Sequence, residues 1–119
     1  RIYASGGMFS GCKNLTECDI VLPAGSIANS VCDNFYSGCS KLSTDILMLL
    51  PKSGFSNMFM AFSGVFNNCS SLTCSDISKL EKILWNNKFV EWSSTNTALN
   101  GCTTIGLNNI PKSWGGNKA

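Results

Sequence analysis

Seven cysteines, three tryptophans and seven carboxylates are the residues of this 119-residue chain with the most chemistry to offer. The cysteines are Cys12, Cys18, Cys32, Cys39, Cys69, Cys74 and Cys102, and no histidine accompanies them. That excludes a Cys–His nucleophile pair, a Ser-His-Asp triad and any zinc site with a His ligand. No Cys-x-x-Cys pair occurs, so a thiolate metal site is the weakest reading of the cysteines. Two others remain: a ladder of buried free thiols, or disulfides that leave at least one thiol over. Cysteines stacked with parallel side chains have poor dihedral geometry for an S–S bond. The carboxylates (Glu17, Asp19, Asp33, Asp45, Asp76, Glu81, Glu91) are spread out and form no obvious acid–base pair. No catalysis and no cofactor is therefore expected.

Two groups of residues are candidates for binding. Trp85, Asn86, Asn87, Phe89 and Trp92 lie close together in sequence. A flat indole face with amides beside it is what a sugar platform needs. It equally suits a protein hot spot, or core filler. Asp19, Asp45 and Asp76 recur at comparable places along the chain, with Thr16, Glu17, Ser43, Thr44, Thr73 and Ser75 beside them. They read as an acidic strip on an exposed face, or as ordinary solvated surface.

The elements that position these residues come from a repeat. Four segments align on Cys12, Cys39, Cys69 and Cys102, spaced 27, 30 and 33 residues apart. Three residues before each Cys stands Phe9, Tyr36, Phe66 or Leu99; one before stands Gly11, Gly38, Asn68 or Gly101. Three after stands Leu15, Leu42, Leu72 or Ile105; eight after stands Ile20, Leu47, Ile77 or Ile110. Units of this size bury their apolar side only by stacking on one another. The Leu-to-Ile stretch reads as a short strand. The Gly or Asn before each Cys reads as a left-handed helix C-terminus, with the aromatic in the last helical turn.

Phe9-Ser10-Gly11-Cys12-Lys13-Asn14-Leu15-Thr16 and its three counterparts resemble the BspA-like leucine-rich repeats of surface and secreted bacterial proteins. The resemblance spans roughly residues 6 to 112. It implies an α/β solenoid: a right-handed leucine-rich-repeat array of about four coils with a short-stranded parallel sheet on one face. The chain departs from that pattern where polar Asp45, Ser75 and Asn108 hold the middle strand position. On this reading residues 1–119 are one domain with a C-terminal cap over 108–119. Gly6-Gly7-Met8-Phe9 opens in mid-coil, so further coils or another domain are expected upstream.

Two return segments carry their own patterns. Leu80, Ile83 and Leu84 predict an amphipathic helix that Asn86-Asn87 ends. Phe55, Met58, Phe59 and Phe62 predict a second core-facing helical stripe.

Charged residues are only 13% of the chain and the net charge is +2, with Arg1 the sole arginine. Nucleic acid is excluded as a partner, since a phosphate-binding face needs clustered cations. No apolar run is long enough to insert into a membrane. The expected function is a non-catalytic extracellular or cell-surface adhesion module that recognises a protein or a glycan. A phage tail-fibre component, placed on the virion, and a structural spacer are the alternatives.

Overall fold

The computed structural model describes residues 8–22, 34–50, 64–86 and 97–118. The expected stripe at Phe55–Phe62 lies outside them, as do Cys32, Asn87, Phe89 and Trp92.

The four cysteine motifs form four tight turns, stacked in chain order. Within each, the N–H of the Cys donates to the carbonyl three residues back, at 3.0–3.2 Å for Cys12, Cys39, Cys69 and Cys102. The residue before the Cys is left-handed every time: Gly11 φ 77°, Gly38 φ 81°, Asn68 φ 63° and Gly101 φ 82°. Glycine has a second use at Gly101, because an added Cβ would sit 2.7 Å from Asn68 Oδ1 and 3.2 Å from its Cα. The repeat therefore needs a residue that both tolerates positive φ and permits close stacking. No α-helix leads into these motifs among the described residues. The expected helix C-terminus is instead a run of tight turns with the same left-handed residue.

Two rows of backbone hydrogen bonds run from each turn to the next, while the N–H groups of Ser43, Thr73 and Thr104 donate to the turn before. Phe9 N–H donates to Phe35 O, Tyr36 N–H to Val65 O, Phe66 N–H to Ala98 O and Leu99 N–H to Trp114 O, at 2.8–2.9 Å. Gly11, Gly38 and Asn68 donate in the same sense to Ser37, Asn67 and Asn100. Side chains donate the other way. The thiols of Cys39, Cys69 and Cys102 reach the carbonyls of Phe9, Tyr36 and Phe66 at 3.1, 3.0 and 3.3 Å. The hydroxyls of Ser43, Thr73 and Thr104 reach back to Thr16, Ser43 and Ser70. Thr16 O and Ser70 O also accept the N–H of Ser43 and Thr104, so these hydroxyls add a second bond to carbonyls the backbone already uses.

The core runs along the stack. The rings of Phe9 and Tyr36 lie 5.6 Å apart and those of Tyr36 and Phe66 5.5 Å apart, both pairs stacked. Cys39, Cys69 and Cys102 form a second buried row, and Leu42, Leu72 and Ile105 a third. All six described cysteines are free thiols.

The parallel-sheet leucine-rich-repeat solenoid is not what the chain forms. The described residues contain no strand and no sheet. Two isolated parallel bridges occur, and only Asp45–Thr73 joins consecutive turns. After the second and third turns the reason lies in the carboxylates of Asp45 and Asp76. Asp45 is extended (φ −63°, ψ 122°), and its Oδ1 accepts from Leu47 N–H at 3.0 Å. It caps helix α1 (Ile46–Leu49). Asp76 Oδ1 accepts from Lys79 N–H at 3.1 Å at the start of helix α2 (Ile77–Asn86). In the fourth turn Gly106, at φ 98°, leads into a 3-10 helix over Leu107–Asn109. A carboxylate that satisfies helix N–H groups competes directly with a strand ladder, and here it wins.

The change of element moves side chains. The apolar run at Ile46–Leu50 becomes one helical turn that buries Ile46, Leu49 and Leu50 and leaves Met48 56% exposed. Ile20, expected in the core, is 42% exposed, while Leu22 is buried. Helix α2 follows the expected spacing, with Leu80 and Leu84 buried and Ile77 and Ile83 packed against the core. Beyond Ile110, a second 3-10 helix (Lys112–Trp114) lays Trp114 inside, and Lys118 pairs with Glu81 on α2.

Candidate functional site

An open cleft of about 630 Å³ lies between the first and second turns, lined by Thr16, Glu17, Cys18, Asp19, Ser43, Thr44, Asp45 and Met48. Its walls are held by the inter-turn bonds. Ser43 N–H donates to Thr16 O at 2.9 Å, and Cys18 N–H donates to Thr44 Oγ1 at 3.0 Å. Behind the cleft, the Tyr36 hydroxyl donates to Ile20 O at 2.7 Å and lies 3.5 Å from Cys18 Sγ. Burial, then the contact with Cys18, pushes that phenol far above its ordinary range. It acts as a fixed donor that ties the first turn to the second.

The carboxylates divide by role. Asp45 Oδ1 accepts from Leu47 N–H and from Ser75 N–H, and Oδ2 accepts from Ser75 Oγ at 2.5 Å. Burial pushes its carboxyl up. The Ser75 hydroxyl, the two N–H donors and the Lys79 charge outweigh that and hold it below the usual range. Asp45 is therefore committed to structure. Replacing it with alanine should cost about 1 kcal/mol, the size of a lost helix N-cap, measurable by urea denaturation. Glu17 and Asp19 are exposed at the cleft and, among the described residues, hydrogen-bond to no other side chain. They are its available anions.

Of the residues singled out from sequence, the structure brings Asp19 and Asp45 into one cleft. It does not bring Asp76 there, since that side chain caps α2. Trp85 and Asn86 fall on the last residues of α2, and Asn87, Phe89 and Trp92 lie outside the described residues. Cys18 and Met48 also line the cleft, and neither was singled out from the sequence as a binding residue. The Asp45 N-cap was the signal for Met48, because a helix starting at Ile46 turns its third residue outward.

Burial raises the thiols of Cys39 and Cys102 to about 11 and about 12, and those of Cys69 and Cys74 rise as well. Such thiols stay protonated at neutral pH and are poor nucleophiles. Among the described residues, no three His, Cys, Asp or Glu side chains converge to hold a metal ion. None of the described helices is long and apolar enough to cross a membrane. No protein-family model, curated protein or solved structure matches this chain at a significant level.

Proposed function

We propose that the chain is a non-catalytic binding module, extracellular or at a cell surface, and that the cleft between its first two turns contacts a protein partner. The observation that carries this reading is the lining of the cleft. It combines two available carboxylates, Glu17 and Asp19, with hydroxyls from two turns and an exposed apolar residue, Met48. Ile20 and Val21 continue the exposed apolar surface along the chain. This mixture suits a polypeptide segment with cationic and apolar side chains. No aromatic face lines the cleft to stack a sugar ring, which favours a protein over a glycan there. The extracellular placement draws on the low charge and the abundance of Ser, Thr and Asn.

The test is a binding screen of the whole chain against an array of short peptides that vary in Lys, Arg and apolar content. Saturable binding to cationic–apolar peptides is expected. It should weaken at least tenfold in the double variant Glu17→Gln, Asp19→Asn, and fall with added salt. The fold should be unaffected, because among the described residues neither carboxylate bonds to another side chain. Binding that ignores both substitutions would remove the cleft as the contact surface. No binding at all would favour a spacer role.

A further inference from the structure

Asn100-Gly101 is the sole Asn-Gly pair in the chain. It forms the tip of the fourth turn, where the Cys102 N–H donates to Leu99 O at 3.2 Å and Gly101 has φ 82°. Asn100 is exposed, and its Nδ2 donates to Asn67 Oδ1 at 3.3 Å. In the first three turns the N–H before the cysteine is engaged. Gly11 donates to Ser37 O, Gly38 to Asn67 O and Asn68 to Asn100 O, at 2.7–2.8 Å. Among the described residues the Gly101 N–H has no such partner. The residue ahead of it also differs. The first and second turns carry Ser10 and Ser37 at the place of Asn100, and the third carries Asn67, followed by the bulkier Asn68. The fourth turn alone combines a carboxamide, a following residue without a Cβ and an unengaged backbone nitrogen.

A bonded amide nitrogen must give up its hydrogen bond before it can attack, and a Cβ on its own residue hinders the approach. Gly101 carries neither obstacle. We propose that Asn100 is a self-modification site, at which the Gly101 backbone nitrogen closes onto the Asn100 carboxamide and water then opens the ring. The Gly101 nitrogen gives its proton to solvent hydroxide and bonds to Asn100 Cγ. The Cγ–Nδ2 bond breaks, and Nδ2 takes a proton from water and leaves as ammonia. Water adds to one carbonyl of the five-membered imide and breaks its C–N bond, which gives aspartate or isoaspartate. No oxidant or cofactor takes part. Both products put a carboxylate at the tip of the turn and remove the amide that reaches Asn67. Isoaspartate also routes the main chain through Cγ, which displaces the carbonyl that accepts the Asn68 N–H. The fourth turn is thereby loosened from the third, without an enzyme.

The test sets two identical dipeptides against each other in one chain. The variant Asn68→Gly gives the third turn an Asn-Gly pair of its own, with the N–H at position 68 still donated to Asn100 O. Glycine suits that place, which has φ 63° and is glycine in the other three turns. The whole chain is incubated at mildly alkaline pH, below the range in which the thiols titrate. Amide-to-acid conversion is followed by peptide mass spectrometry, and isoaspartate by methyltransferase labelling. In the folded variant Asn100 should convert at least tenfold faster than Asn67, and in urea the two rates should be close to equal. Equal rates in the folded variant overturn the proposal. Should the variant not fold, the unaltered chain decides. Folded Asn100 should convert at no less than a tenth of its rate in urea, and slower conversion overturns the proposal. Ageing should also lower the urea midpoint of the unaltered chain and leave that of Asn100→Gln in place; an equal fall in both overturns the loosening of the fourth turn.

Discussion

Replacing Trp114 with alanine should lower the stability of this chain by about 3–5 kcal/mol, the range for removing a buried large aromatic side chain. Trp114 is buried, and its Nε1–H donates to Leu84 O at 3.0 Å. Its backbone carbonyl accepts the Leu99 N–H that no further turn receives. Its neighbours Ile46, Leu50, Phe66, Leu84 and Leu99 come from three turns and from α2, so one truncation opens a void that several elements share. A domain of this size has about 5–15 kcal/mol in all, so the loss is about a fifth of the total or more. Trp114→Phe keeps most of the packing and loses the indole bond, and should cost about 1–3 kcal/mol. Urea denaturation of the two variants gives the comparison. A loss under 1 kcal/mol for the alanine variant would mean that the last turn is closed without this side chain.

The second large effect is alkaline unfolding. The thiols of Cys39 and Cys102 titrate near 9 in an unfolded chain and are raised to about 11 and about 12 in the folded one; Cys69 shifts the same way. Burial is the main cause in each case. A raised folded value means that the folded state holds its proton where the unfolded state has lost it. Stability from this source is complete below pH 9 and is lost as pH rises from 9 through the folded values. Each such thiol contributes a slope of about 1.4 kcal/mol per pH unit in that window. Tyr36, raised by burial and by its contact with Cys18, adds in the same direction above pH 10. Urea midpoints measured at intervals from pH 7 to 11 should be flat to about 9 and then fall steeply. Cys69→Ala should be less stable at pH 7 and less steep above pH 9. A flat profile to pH 11 would show that these thiols are not held neutral in the folded chain.

Much of the stack could be read from residue types. The large apolar residue, the Gly or Asn, the Cys and the Leu recur because each turn must solve the same local problem. It needs a left-handed residue for the reversal, a small side chain for close stacking, and apolar groups facing in. Those demands depend on neighbours in sequence, so sequence displays them. The element after the turn was misread for the opposite reason. The stretch from Leu42 to Leu47 reads as a short strand only if polar Asp45 is taken as a departure at its middle position, and Asp45 is the residue that caps a helix instead. The choice between them depends on Ser75, thirty residues away, whose hydroxyl and N–H fix the Asp45 carboxylate. The candidate cleft follows the same pattern. Glu17, Asp19 and Asp45 look alike in sequence, and only the folded stack shows which carboxylates are already bonded.

The sequence by itself determined the repeat, its period, the left-handed residue before each cysteine and the absence of histidine-based chemistry. Only the tertiary structure decided that helical turns follow the second, third and fourth motifs where strands were expected, that the Cys thiols donate to the preceding turn while the Phe9, Tyr36 and Phe66 N–H groups donate to the next, and that Trp114 closes over the fourth turn. The physical reason is range. Backbone sterics and side-chain size act over a few residues and are written locally. The allocation of each hydrogen-bonding group among competing partners is settled between turns 27 to 33 residues apart, once they lie against one another.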